Sequence, residues 1–376
     1  MRLKKLLLRN FRLFKDLKVE FGDKNIIVGP NGSGKTTIIE AINYASVFSP
    51  LRTYETDKDL VRLGESSFNI LVEIEEENSK LDTIFVGYEF KDNKGNKRIR
   101  INDKVLNVVN ASGKLKVVPF LIEDYELVVG TPLWRRRAMD AFLILVTPSY
   151  YHNLVNYYKI LKQKNACIRM IRKLQEEGRS DQEESIQQAK ELVRTYNASI
   201  SKFAVEVTKY RYQLLNYISS RMQALSGLEV EVRYKSHLVD LVRDSQDPVS
   251  SFTDILNDKV DKEVVYGKSI VGPHLDDIVI TSNDKPAKTF LSQGQVRLVS
   301  IFFKLICAEY IVERTGEKPI LLFDDILGEL DENNRKRVLE RILSLPYQLV
   351  LSFFEVDKSI HLSEFSIIDL GKTEKG

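Results

Sequence analysis

The 376-residue chain contains only two cysteines and four histidines. Cys167 and Cys307 lie far apart and in no metal-ligand spacing, which argues against a disulfide framework and a zinc site. No hydrophobic run reaches the roughly 20 residues of a membrane-spanning helix. The apolar stretch near the start is interrupted by Arg9 and Arg12, unlike a signal peptide. These absences predict a protein of the reducing cytoplasm with no membrane association.

Neither positive nor negative charge is in large excess. The net charge is +3, with 29% charged and 43% hydrophobic residues. Such a balance is that of a globular protein, and it is too small to indicate nucleic-acid binding by itself. Any DNA-binding signal must therefore come from local clusters. The length allows one large domain or two moderate ones.

The most informative segment is a glycine-rich loop of the form G-x-x-x-x-G-K-[ST]. Its residues are Gly29, Pro30, Asn31, Gly32, Ser33, Gly34, Lys35 and Thr36. An apolar run over residues 25–28 predicts a strand before it, and Thr37 begins a helical pattern after it. Backbone N–H groups at such a helix start bind phosphate. We expect Lys35 to contact the β- and γ-phosphates and Thr36 to ligate Mg²⁺.

A second motif is an apolar run that ends in two carboxylates, Asp324 and Asp325. A buried strand would deliver them to the sheet edge where a phosphate loop also lies. We predict that Asp324 ligates Mg²⁺ and that Asp325 polarises the attacking water. Both can do so only if the strand ends there, because successive strand residues point to opposite faces. Gly328 shortly afterwards allows such a turn.

A third motif precedes a long apolar helix and comprises Ser292, Gln293, Gly294 and Gln295. Ser292 is a favourable N-cap, and Gly294 leaves the helix start open to close approach. The pattern fits a second anion-binding helix terminus, although an ordinary capped helix has the same residues.

Taken together, these motifs resemble the phosphate loop, Walker B strand and signature of ABC-type ATPases, with Gly328 to Asp331 as the D-loop. Further segments resemble the RecF family over nearly the whole chain. They are residues 10–12, 49–53, 123–124, 127–130, 135–140, 161–165 and 272–277. Leu275 replaces the arginine usual in the last of these segments, and no switch histidine occurs near residues 349–353.

The resemblance implies an ATP-binding, slowly hydrolysing DNA-repair protein that forms a homodimer with ATP. Ser292 and Gly294 of one copy would contact nucleotide held by the other, and Asp331 would lie at the dimer seam. Arg12 and Thr37 are also assigned to the ATP site. The implied partners are DNA at single-strand to double-strand junctions, and RecR with RecO. Alternatives are an SMC-like scaffold with little turnover and a transporter-type ATPase subunit.

Basic residues cluster in the middle of the chain. The predicted DNA contacts are Arg135, Arg136, Arg137, Lys162 and Lys164, because lysines and arginines on one helical face suit a phosphate backbone. Tyrosines at positions 150, 151, 157 and 158 are candidates for stacking on bases. The alternative is a solvated helix face above core tyrosines. Because Arg135, Arg136 and Arg137 cannot all share one helical face, we expect at least one of them to form a local salt bridge, for example with Asp140.

The predicted fold is α/β, an ABC-type ATPase head with an inserted helical lobe. We divide the chain into residues 1–120 with the phosphate loop, a mainly helical lobe at 121–290, and 291–376 with the signature and Walker B strand. Helical periodicity over 150–171 and 185–225 predicts a short helical hairpin, and Gly178 interrupts any long coiled coil. The expected location is the cytoplasm, in association with the nucleoid.

Overall fold

A computed structural model describes residues 1–52, 55–76, 79–177, 183–325, 330–353 and 362–371. The chain forms two compact units. The first comprises Met1–Val128, Ile144–Pro148 and Leu291–Gly376, and the second comprises Val129–Leu143 and Ser149–Phe290. The second unit thus falls within the range 121–290 that the sequence analysis assigns to the helical lobe.

The first unit contains a parallel sheet in the order β14-β3-β13-β12-β8. Its strands are β3 (Lys24–Val28), β8 (Val117–Phe120), β12 (Ile320–Asp324), β13 (Gln348–Phe353) and β14 (Ser366–Asp369). Their runs of buried apolar residues are typical of parallel strands covered on both faces. Parallel pairing brings the carboxyl ends of β3, β13 and β12 to one edge.

A second sheet of this unit is antiparallel, in the order β2-β1-β4-β5-β6-β7. Its strands are β1 (Arg2–Phe11), β2 (Phe14–Glu20), β4 (Ser67–Glu75), β5 (Leu81–Lys91), β6 (Lys94–Ile101) and β7 (Lys104–Leu106). Buried and less buried residues alternate along β4, which gives the sheet one core face. Strands β5 and β6 form a hairpin with residues 92–93 at its turn.

Helix α1 (Lys35–Val47) lies between the two sheets of the first unit. Its Ile39 and Ile42 share a core with Phe68 of the antiparallel sheet and Leu322 of the parallel sheet. The other helices of the unit are α2 (Val108–Ala111), α3 (Glu126–Val129), α11 (Gln293–Thr315) and α12 (Glu332–Ser344). This packing fixes the start of α1 against the parallel sheet.

The second unit is mainly helical, as predicted. Its helices are α4 (Pro132–Val146), α5 (Pro148–Glu177), α6 (Glu183–Ser226), α7 (Val239–Asp244), α8 (Pro248–Asp258), α9 (Val260–Tyr266) and α10 (Ala287–Phe290), of which α4 and α5 overlap the first unit by a few residues. A small sheet adds β9 (Val230–Lys235), β10 (Asp277–Ser282) and β11 (Lys285–Pro286).

Helices α5 and α6 run antiparallel. Leu161 packs with Ile200, and Ile168 packs with Val193, so residue numbers rise along one helix as they fall along the other. The helices have 30 and 44 residues and extend by a few residues beyond the predicted spans of 150–171 and 185–225. Gly178 lies outside the described residues. No helix among the described residues is long and apolar enough to cross a membrane.

Candidate functional site

The glycine-rich loop joins β3 to α1, as its sequence context predicts. Gly32 and Gly34 have φ of +75° and +108°, which is left-handed backbone that glycine adopts without strain. A Cβ at Gly34 would also lie 2.5 Å from the Phe14 ring. The loop therefore needs glycine here, and it leads directly into the start of α1. Unpaired N–H groups at that start make it an anion-binding position.

Lys35 lies over this loop and is only 8% exposed. Its Nζ donates to the carbonyl oxygens of Gly29 at 2.7 Å and Pro30 at 3.2 Å. The Ser33 hydroxyl is buried and has no hydrogen-bond partner among the described residues. The loop thus presents an ammonium group and a hydroxyl that can bind phosphate oxygens.

The carboxylate of Asp324 and the end of the loop meet at the edge of the parallel sheet. Ser352, on the intervening β13, donates to Asp324 Oδ1 at 2.9 Å. Burial raises the pKa of Asp324, although the Thr36 hydroxyl nearby and the Ser352 hydrogen bond oppose the rise. The sequence analysis missed Ser352, since its place between the two motif strands depends on strand order.

Asp325 does not continue the strand. β12 ends at Asp324, and Asp325 has φ of +52° with its N–H donating to Ser352 Oγ at 3.0 Å. The two acids therefore occupy different backbone conformations, which meets the condition set by the sequence. Gly328, proposed to permit the turn, lies outside the described residues, as does Glu329.

The oxygen donors of Thr36 and Asp324 suit a hard divalent cation. Among the described residues, no group of three or more His, Cys, Asp or Glu side chains is arranged to hold a metal ion. Mg²⁺ in nucleotide sites uses one or two protein oxygens and completes its shell with phosphates and water. The donor set fits that mode of binding.

Arg12 contributes to an open cleft of about 610 Å³ beside the start of α1. The cleft is lined by Arg12, Leu13, Thr36, Thr37, Glu40, Arg52, Asp59, Val61 and Leu63. Arg12 donates to both oxygens of Glu40 at 2.8 Å and to Glu55 Oε2 at 2.6 Å. Burial alone would lower the pKa of Arg12. The carboxylates of Glu40 and Glu55 outweigh the effect of burial, so the pKa lies above its ordinary value.

Glu40 was not predicted as the partner of Arg12. Glu40 follows Thr36 by one helical turn, so both side chains lie on the same face of α1. The four-residue spacing of Thr36 and Glu40 was the signal in the sequence that could have placed Glu40 beside the site. Arg12 therefore already carries carboxylate partners in the place where it was predicted to contact ATP.

Ser292 to Gln295 form the first turn of α11. Ser292 Oγ accepts from Gln295 N at 3.3 Å, and Gln295 Oε1 accepts from Ser292 N at 2.9 Å, which is a capping box. Ser292 and Gln293 are exposed. A Cβ at Gly294 would lie 3.9 Å from Asp331 Oδ2, and Asp331 caps α12 by accepting from Asn334 N at 3.0 Å. The predicted signature and Asp331 are therefore neighbours.

The basic run at Arg135–Arg137 is largely occupied by contacts within the second unit. Arg135 donates to both oxygens of Asp277 at 2.6 and 3.0 Å and is 11% exposed. Arg136 donates to the Asp276 carbonyl at 2.6 Å, whereas Arg137 is exposed. The prediction of Asp140 as a partner for this run is wrong, because Asp140 pairs with a different arginine.

That arginine is Arg211, which is fully buried. It donates to Asp140 Oδ1 at 2.9 Å and to Asp276 Oδ2 at 3.1 Å. Asp276 and Asp277 belong to the segment 272–277, which is therefore tied to α4 and α6 by ion pairs. Leu275 in the same segment is 43% exposed. No signal in the sequence indicated Arg211.

Lys164 is not available for DNA, and its assignment is wrong. It is fully buried and pairs with Glu263 Oε2 at 2.8 Å. Lys162, two residues earlier on α5, is exposed. Tyr150 and Tyr157 are buried and cannot stack on bases, whereas Tyr158 is 40% exposed. Helical periodicity explains the difference, because residues two apart lie on different faces.

The glycine loop, the acid-ending strand and the fold of the first unit define an ABC- and SMC-type ATPase head. The chain matches the family model for the RecF/RecN/SMC N-terminal domain over residues 2–357. DNA replication and repair protein RecF of Clostridium novyi is 31% identical over 91% of this chain and 90% of its own. RecF of Cyanothece is 32% identical over 91% of this chain and 89% of its own length.

A solved structure of the recombination mediator protein RecF with ATP, of the RecFOR pathway, has a TM-score of 0.82 and 27% identity. The match covers 95% of this chain and 93% of that one. The chain therefore belongs to the RecF family of DNA replication and repair proteins.

Proposed function

We propose that this protein binds ATP with Mg²⁺, associates as a homodimer on DNA, and is reset by slow ATP hydrolysis during recombinational gap repair. The observation that carries the proposal is the parallel pairing of β3, β13 and β12, which places the phosphate loop and Asp324 at one edge of the sheet, with the Thr36 hydroxyl near the Asp324 carboxyl. This arrangement fits a triphosphate whose cation is bound by Thr36 and Asp324. ATP in the related RecF structure supports the choice of nucleotide.

In the proposed site, the loop N–H groups and Lys35 bind and orient the phosphates. Bound Mg²⁺ would neutralise the charge that develops on the transferred phosphoryl group. Asp325 would orient water and accept its proton. The positive φ of Asp325 places this residue off the strand that carries Asp324, so the two acids can take different roles.

The homodimer is supported by the exposed first turn of α11. Ser292, Gln293, Gly294 and Gln295 satisfy their own helix start through the capping box, yet leave its surface open. A second copy could bring this turn to the γ-phosphate, with Asp331 at the seam. ATP would then hold two heads together.

DNA binding is proposed for the exposed basic residues Arg137 and Lys162. Binding through the phosphate backbone would be sensitive to salt and tolerant of sequence. RecR, acting with RecO, is the proposed protein partner by family membership, and the cytoplasm near the nucleoid is the proposed location. The lack of a switch histidine near 349–353 supports slow turnover.

The test is the molar mass by light scattering, with and without ATP and gapped duplex DNA. We expect a monomer that doubles in mass with ATP, and a larger complex when DNA is added. Phosphate release measured on the same samples separates this function from a scaffold without turnover. A monomer under all conditions would refute the proposed dimer.

A further inference from the structure

Two segments that resemble the RecF family have no role in the site described above: residues 49–53, of which 49–52 are described, and 123–124. The structure joins them. Arg52 Nε donates to Glu123 Oε1 at 3.4 Å. Arg52 also lines the cleft beside Thr36 and Thr37.

On the cleft side, Arg52 shares a carboxylate with Arg12. Glu55 Oε2 accepts from Arg12 Nη2 at 2.6 Å, while Glu55 Oε1 lies 3.8 Å from Arg52 Nη1. Arg12 is also bound by Glu40, one turn after Thr36. An anion that enters the cleft therefore meets two arginines held by the same glutamate.

On the other side, Glu123 is followed by Asp124, which is buried. Asp124 Oδ2 accepts from Leu121 N at 2.7 Å, and Asp124 Oδ1 accepts from Lys304 Nζ. Lys304 also donates to the Pro119 carbonyl at 2.6 Å. Because separating a buried ion pair is strongly unfavourable, these bonds tie residues 119–124 firmly to α11.

We propose that Arg52 is a positioning residue that couples occupancy of the cleft to the first turn of α11. The phosphates of a bound nucleotide compete with Glu55 for Arg12, since both attractions act at short range in a partly buried site, and Glu55 is left to pair with Arg52 alone. Arg52 then shifts relative to Glu123, and the Asp124–Lys304 pair transmits the shift to α11. The inference rests on the proposed function only in taking ATP as the ligand.

Hydrogen–deuterium exchange of residues 291–299 tests the coupling. The protein is kept dilute enough to be monomeric by light scattering, with and without the slowly hydrolysed analogue ATPγS. In the unmodified protein, we expect ATPγS to change deuterium uptake in this segment. Arg52→Gln should bind ATPγS within about threefold of the unmodified protein, because a partly exposed ion pair contributes little to affinity. It should lose at least half of the uptake change.

Matched variants sharpen the test. Glu123→Gln should reproduce the loss, the double variant should be no worse than either single one, and Arg52→Lys should restore part of the response. Arg98→Gln, which removes an exposed arginine on β6, should behave like the unmodified protein. Arg52→Gln with a full uptake change would overturn the coupling. A tenfold loss of ATPγS affinity would also overturn it, because Arg52 would then be a nucleotide contact.

The outcomes separate the inference from the proposed function. ATPγS binding without any change at residues 291–299 in the unmodified protein refutes the coupling alone. Failure to bind ATPγS refutes both. Failure to dimerise at high concentration, with the uptake change intact, refutes the proposed dimer and leaves the coupling in place.

Discussion

The glycine loop at residues 29–36 and the arginine run at 135–137 are the two densest functional signals in the sequence, and the structure treats them differently. The loop residues keep groups at the edge of the parallel sheet that have no protein partner among the described residues, such as the buried hydroxyl of Ser33. Two of the three arginines instead bind groups of the protein, Asp277 and the Asp276 carbonyl.

The difference teaches that spacing set by a ligand is more informative than charge density. The loop pattern requires glycines at positions that have positive φ and a lysine at a helix start, and few structures other than a phosphate site need that set. An arginine run has no such requirement. Its members serve equally well as DNA contacts or as ion-pair partners, and only the fold decides.

The largest expected effect is that of Lys35→Ala. The change removes two charge-assisted hydrogen bonds to phosphate, which together contribute about 3 kcal/mol or more. We expect ATP affinity, measured by isothermal titration calorimetry, to fall at least about 100-fold. Lys94→Ala at the exposed start of β6 is the control and should leave affinity unchanged. Unchanged affinity in Lys35→Ala would refute the phosphate-loop assignment.

Asp325→Asn should reduce phosphate release by about 100-fold or more, because a general base is lost. Asparagine tolerates the positive φ of this residue, so the turn should survive. ATP affinity should stay within about threefold, since polarising water is not a ground-state contact. Normal turnover in this variant would remove Asp325 from the proposed mechanism.

The comparison of Lys164 with Lys162 tests whether the first lysine is held in a buried ion pair and the second is exposed. Lys164→Met leaves Glu263 buried and unpaired, which should lower the free energy of unfolding by about 3–5 kcal/mol. Lys162→Met should change it by less than about 0.5 kcal/mol. Denaturant unfolding measures both. Lys164→Met/Glu263→Leu should recover stability; equal effects of the two single changes would contradict the burial argument.

Smaller effects are expected for DNA. Arg137→Gln and Lys162→Gln should each weaken binding to gapped DNA several-fold and lower the slope of log K against log salt by about 0.9. Fluorescence anisotropy over a salt series measures this slope. Both proteins should unfold like the unmodified one. An unchanged slope would place the DNA surface elsewhere.

The sequence predicted the strand before the loop, the helix after it, the long α11 and the acid-ending β12, because periodicity and glycine chemistry are local. It could not predict that Ser352, on β13 between β3 and β12, bonds to Asp324, since that depends on strand order. It also missed the Lys164–Glu263 and Arg135–Asp277 pairs. These partners are about 100 residues or more apart, and a charged residue has the same letter whether it is exposed or paired.

The central claim is that the loop is half of a site completed by Ser292–Gln295 of a second copy. Gly294→Asp would place a negative charge beside phosphate without steric conflict, since the nearest atom to a Cβ there is 3.9 Å away. Phosphate release should be very low for Lys35→Ala alone and for Gly294→Asp alone. An equimolar mixture should regain about a quarter of the unmodified activity, because half of the randomly formed dimers hold one intact site of two. Activity that stays at the sum of the two separate variants would contradict the shared site.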